Sequence, residues 1–157
     1  MPAGSEVPPV RLPHTFRPLG VRMAIFALGG MLLLVCVVVW LAFPPHIQAE
    51  FSWIDRTTAI ALGIGLAAVG YALVRSRVVA RQDGVTVVNG YRSHHYDWNE
   101  IIAIHLRPGN PWAVLDLSDG TSVSAVGIQG SDGSRAITQV RQIRALVAQL
   151  SRTERDD

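Results

Sequence analysis

Two uninterrupted apolar runs decide what this chain can fold into. Residues 23–43 (MAIFALGGMLLLVCVVVWLAF) and 57–74 (TTAIALGIGLAAVGYALV) contain no charged side chain, and all 14 basic and 12 acidic residues lie outside them. A helix rises about 1.5 Å per residue, so about 20 apolar residues cross a hydrocarbon core of about 30 Å. The first run has 21 residues and meets that length; the second has 18 and is short but sufficient. Such a partition excludes a disordered chain, a fibrous repeat and a single large soluble core. It predicts a small membrane protein carrying one small soluble domain.

Arg22 closes the near side of the first run, Trp40 sits near its far end, and Pro44 and Pro45 stop the helix. Residues 44–56 are few, so the runs form a helical hairpin. The expected boundaries are a flexible tail at 1–20, transmembrane helices at 21–43 and 57–76, an extracytoplasmic loop at 44–56, a soluble domain at 77–152 and a flexible tail at 153–157. Arg11, Arg17 and Arg22 precede the hairpin and Arg75, Arg77 and Arg81 follow it, whereas the loop sets Arg56 against Glu50 and Asp55. The positive-inside rule then assigns both termini of a plasma-membrane protein to the cytoplasm. Phe51 and Trp53 suit an aromatic belt on the outer side. The length of the first run and the second span behind it argue against a cleaved leader.

Ala59, Gly63 and Ala67 recur at four-residue spacing, and Gly70 follows. Small residues at this spacing let helices approach closely. They fit contact with the first span or with a second copy of the chain, and they fit equally the general abundance of small residues in membrane spans. The single cysteine, Cys36, lies mid-span, which excludes a disulfide within the chain and a thiolate metal site. A net charge of +2 gives no ground for nucleic-acid binding.

Residues 78–152 form one unit of short strands and a closing helix. Asp83-Gly84, Asn89-Gly90 and Asp119-Gly120 are turn signals between short apolar runs, the pattern of an antiparallel meander. Strands are expected at Val78–Arg81, Val85–Val88, Tyr91–Asp97, Ile101–Leu106, Trp112–Leu117 and Thr121–Val126, and a loop at Gly127–Ser134. A helix over 134–151 carries Ile137, Val140, Ile143, Leu146, Val147 and Leu150 on one face, with Asp132 or Ser134 available to cap it. That face needs the sheet as its partner.

Short antiparallel strands closed by one amphipathic helix follow the plan of a pleckstrin-homology (PH)-like barrel or sandwich. The chain resembles the small actinobacterial PH-domain membrane proteins of the low molecular weight protein antigen 6 type. The resemblance rests on Val74-Arg75-Ser76-Arg77, on Asp83-Gly84-Val85 followed by Asn89-Gly90, on Trp98-Asn99-Glu100-Ile101, on Asp119-Gly120 and on the closing helix. It implies a membrane hairpin plus a PH-like α+β domain, and little about activity.

No catalytic constellation is legible. Gly127, Gly130 and Gly133 lack the spacing and the following parallel strand of a dinucleotide loop. His94 and His95 are neighbours on a strand and point to opposite faces, which suits neither a shared metal nor a ligand set with His105 and Asp97. Nothing brings two of Asp97, Glu100, Asp116 and Asp119 to one cleft, and there is no serine nucleophile elbow. No cofactor is expected. Trp98 reads as core; Trp112 reads as rim or as a ligand anchor.

Arg75, Arg77, Arg81 and Arg92 are the candidate contacts to anionic phospholipid or to a partner, with Trp112. PH domains that bind phosphoinositides use a basic first hairpin loop, and the turn Gln82-Asp83-Gly84 carries an acid instead. The expectation is a non-enzymatic, membrane-anchored module that binds a membrane or membrane-associated protein through an exposed strand edge or the open end of the barrel. The alternative is a lipid-contacting module using Arg81 and Arg92. A homo-oligomer through the spans fits either.

Overall fold

The computed structural model describes residues 10–153, with side chains described to Ser151. The elements run β1 (His14–Phe16), α1 (Leu19–Ala42), α2 (Pro45–Glu50), α3 (Trp53–Arg75), β2 (Arg77–Ala80), β3 (Gly84–Asn89), β4 (Arg92–Asp97), β5 (Ile101–His105), β6 (Trp112–Leu117), β7 (Ser122–Gln129) and α4 (Ser134–Thr153). Short 3-10 turns fill Trp98–Glu100 and Gly130–Asp132.

α1 and α3 are long and apolar enough to cross a membrane, and their apolar windows are not buried in the protein. Both start earlier than expected. α3 begins at Trp53 because Ser52 and Asp55 form a capping box: Ser52 Oγ accepts from the Asp55 N–H at 3.3 Å, and the Asp55 carboxylate accepts from the Ser52 N–H at 2.9 Å. The expected loop at 44–56 is therefore shorter, and α2 fills most of it. Gln48 of α2 donates to the Trp40 and Phe43 carbonyls, each at 3.0 Å, and so satisfies acceptors that the end of α1 leaves open. Phe51 does not simply face lipid. Its ring lies 5.5 Å from Trp40 and 6.1 Å from Phe43, while Trp53 is exposed.

The largest departure lies before the hairpin. Residues 14–16, expected within a flexible tail, form β1 and pair antiparallel with β2 through His14–Ala80, Thr15–Val79 and Phe16–Val78. Phe16 is 1% exposed and belongs to the core. The domain is thus assembled from both flanks of the hairpin, which is inserted between its first and second strands. The remainder of the expected tails, residues 1–9 and 154–157, lies outside the described residues.

The strands form two antiparallel sheets, β1-β2-β3-β4 and β5-β6-β7, and no closed barrel. β4 passes to β5 through the Trp98–Glu100 turn instead of pairing with it. The sheets meet where β7 crosses β2 and β3. Gly127 makes that crossing possible: a Cβ there would stand 2.5 Å from Arg77 Cα. The residue expected in a loop is therefore inside β7. Asn89 stitches the same seam, donating to the Ser124 carbonyl and accepting from the Val126 N–H at 3.0 Å.

α4 closes the open side with Ala136, Val140, Ile143 and Leu146 buried. Ile137 was expected on this face but is 48% exposed, and Ala136 takes its position. On β6 the alternation holds: Ala113, Leu115 and Leu117 are buried. Trp98 is fully buried, and its indole N–H donates to the Arg81 and Gln82 carbonyls at 3.0 and 3.1 Å. It pins the β2–β3 turn to the end of the domain farthest from the helices.

At the opposite end the domain grips both helices. Asp132, which with Ser134 is one of the two available caps for α4, instead caps α1, accepting from the Leu19 and Gly20 N–H groups at 3.1 and 2.9 Å. Ser76 is buried; its hydroxyl donates to the Ala72 carbonyl at 3.0 Å and accepts from the Gly90 N–H at 2.9 Å. Gly90 (φ +59°) opens the two-residue β3–β4 turn, a position that favours glycine. The next residue, Tyr91, donates its hydroxyl to the Ala68 carbonyl of α3 at 2.8 Å.

Candidate functional site

The strand directions sort the charged side chains to two ends. β2 leaves α3 at Arg77 and reaches its far turn at residues 81–84, and β4 returns from Arg92 to Asp97. Arg75, Arg77 and Arg92 therefore lie at the helix end, joined there by Arg17, Arg22, Arg107 and Arg135. Arg81 lies at the far end, beside the turn that Trp98 pins. Arg81 and Arg92, the two residues of the lipid-contacting alternative, are thus separated by the length of the sheet. Asp83, Asp97, Glu100 and Asp119 also occupy the far end. Seven arginines thus lie towards the hairpin, together with Asp132, and four acids lie away from it, together with Arg81. Trp112, 37% exposed, opens β6 at the helix end.

The small-residue positions of α3 divide. Gly70 packs against α1, where a Cβ would stand 3.2 Å from Ile25 Cγ2. Gly63 has nothing within 4 Å, and Ala59 and Ala67 are exposed.

The far-end acids shape local titration. Asp119 is held below the ordinary carboxylate range by the Thr121 hydroxyl (2.7 Å) and then by the Thr121 N–H (2.8 Å). Tyr96 is pushed above its ordinary value by burial first, then by the charges of Asp119 and Glu100. His95 bonds Thr86 Oγ1 at 3.0 Å and lies 3.5 Å from Asp97. On the three-stranded sheet, Asp116 sits between His105 (3.2 Å) and Ser122 (2.8 Å). That trio is no nucleophile–base pair, because the serine hydroxyl donates to the carboxylate and not to the imidazole. Among the described residues, no three His, Cys, Asp or Glu side chains converge as a metal site.

The concave feature that sequence reasoning missed is a groove of about 510 Å³ between β5 and the second half of α4. β5 pairs only with β6, so its other edge is open. Ile102, 65% exposed, Ile104 and Val147 line the groove, with Asn99 and Ser151 at its far-end mouth. Arg144 donates from Nε to the Ile104 carbonyl at 2.7 Å. The sequence signal was Ile101-Ile102, two adjacent isoleucines of which a strand can bury only one.

A two-sheet α+β domain closed by a C-terminal helix and carried on a hairpin of apolar helices defines a PH-like domain with two candidate membrane spans. Residues 75–146 match the family described as Bacterial PH domain. The chain is similar to the uncharacterized protein Rv1417 of Mycobacterium tuberculosis and the uncharacterized protein Mb1452 of Mycobacterium bovis. Each is 30% identical over 98 residues, which cover 62% of this chain and 64% of the relative. The chain thus spans just under two thirds of the length of these relatives. No solved structure matches. The family match starts after the hairpin, so it does not include β1.

Proposed function

We propose that this protein is a non-enzymatic membrane-tethered interaction module. α1 and α3 cross the plasma membrane, and the PH-like domain lies against the cytoplasmic face and binds a membrane or membrane-associated protein. PH domains are in general interaction modules without catalysis, which agrees with this reading. The single observation that carries it is the pairing of β1 with β2 across the hairpin. Two spans return the chain to the side it left, and a sheet built from both flanks requires that return. The hairpin takes the connection between the first two strands, so two covalent links and the Asp132 and Tyr91 contacts restrain the domain at the membrane. Tethering raises the effective concentration of any membrane partner, so a modest contact suffices.

A second reading draws on the charge polarity. The basic end formed by Arg75, Arg77 and Arg92 faces the headgroup region, where each cation adds about 1 kcal/mol of attraction to anionic lipid. Arg81 has no part in it.

A photo-cross-linking residue at exposed His94 or Ile102 of the full chain, irradiated in native membranes, tests the first reading. Discrete protein adducts are expected at one of the two positions. Adducts to lipid alone at both would transfer the function to the second reading.

A further inference from the structure

We propose that the groove between β5 and α4 seats an extended peptide segment bearing a carboxylate, laid along β5 and ion-paired by Arg144; this rests on the interaction-module reading. Three features of the groove specify that occupant. The first is the outer edge of β5, which no strand covers; Arg144 takes its Ile104 carbonyl, and the edge beside that bond offers a template for one more strand. The second is the apolar floor: Ile102 keeps 65% of its surface exposed beside Ile104 and Val147, which suits the apolar side chains of a strand.

The third is charge. Arg144 is fixed by its Nε bond to the Ile104 carbonyl, and no ion pair joins its guanidinium to an acid among the described residues. The groove lining contains no carboxylate. The nearest acid in sequence, Glu100, is turned back onto the Asp97 N–H at 2.9 Å. A guanidinium anchored through Nε keeps its two terminal nitrogens for a fork with an incoming carboxylate. A lipid headgroup is a poor fit, because the mouth at Asn99 and Ser151 lies at the end away from the helices.

Panning a random-peptide display library against the full chain in nanodiscs, with empty nanodiscs as the subtraction, tests this. The expected survivors carry Asp or Glu among β-branched residues. Their affinity falls about tenfold or more with Arg144→Gln, recovers in part with Arg144→Lys, and is lost with Ile102→Asp. Protease resistance of each variant confirms that the domain is folded. Survivors without an acid, or binding indifferent to both substitutions, overturn the groove proposal and leave the module reading standing. No enrichment over empty nanodiscs overturns both.

Discussion

Phe16→Ala is the most informative substitution, because it tests whether a segment ahead of the membrane helices belongs to the domain behind them. Phe16 is 1% exposed and sits opposite Val78, itself fully buried. Truncating a buried phenylalanine costs about 3–5 kcal/mol, from lost transfer free energy and the cavity left behind. A small domain has a total stability of about 5–15 kcal/mol, so this is a large fraction of it. With a urea dependence of about 1–3 kcal/mol per molar, the unfolding midpoint falls by about 2 M. Pulse proteolysis of the full chain in nanodiscs across a urea series reads that midpoint. Thr15→Ala, on the exposed face of the same strand, is the control and shifts stability by about 0.5 kcal/mol or less. A Phe16→Ala midpoint equal to that of Thr15→Ala would refute the claim that β1 is a core strand.

Gly127→Ala forces a Cβ to within 2.5 Å of Arg77 Cα, so the β2–β7 seam must open; a loss of about 1–3 kcal/mol by the same assay is expected. Trp98→Phe removes the donor to the Arg81 and Gln82 carbonyls together with the five-membered half of a fully buried indole, and costs at least about 1–3 kcal/mol; unchanged stability would mean that the turn needs neither the bond nor the packing. Tyr96 has its pKa raised in the folded state, so its contribution is fully present below its ordinary value of 10.0 and is lost as pH rises through the folded value. Stability measured above pH 10 should therefore decline less steeply in Tyr96→Phe than in the native chain; equal slopes would contradict the assignment.

The legible parts of the fold are those with strong local patterns. The apolar runs, the glycine turns, the alternation of β6 and the period of α4 each write their element into adjacent residues. β1 escaped because three residues, His14-Thr15-Phe16, are too short to display a period, and its partner lies beyond the hairpin. Gly127 was misread because a glycine needed for a close strand crossing looks the same in sequence as one in a loop. Asp132, one of two caps available to α4, serves α1 instead, because a carboxylate suited to capping carries no sign of which helix it caps. For the site, the arginines were visible but not the strand directions that send Arg81 and Arg92 to opposite ends. The groove depends on α4 returning to the β5 edge, a long-range contact that no local pattern encodes.

The central claim is that β1 and the rest of the domain are one body on the cytoplasmic side of a membrane hairpin. Single cysteines at Glu50, Thr15 and Ser118, each in a Cys36→Ser background, test it by labelling with a membrane-impermeant maleimide. In intact cells only the Glu50→Cys chain should label, and Thr15→Cys and Ser118→Cys should label after permeabilisation. Labelling of Thr15→Cys or Ser118→Cys in intact cells would contradict the account.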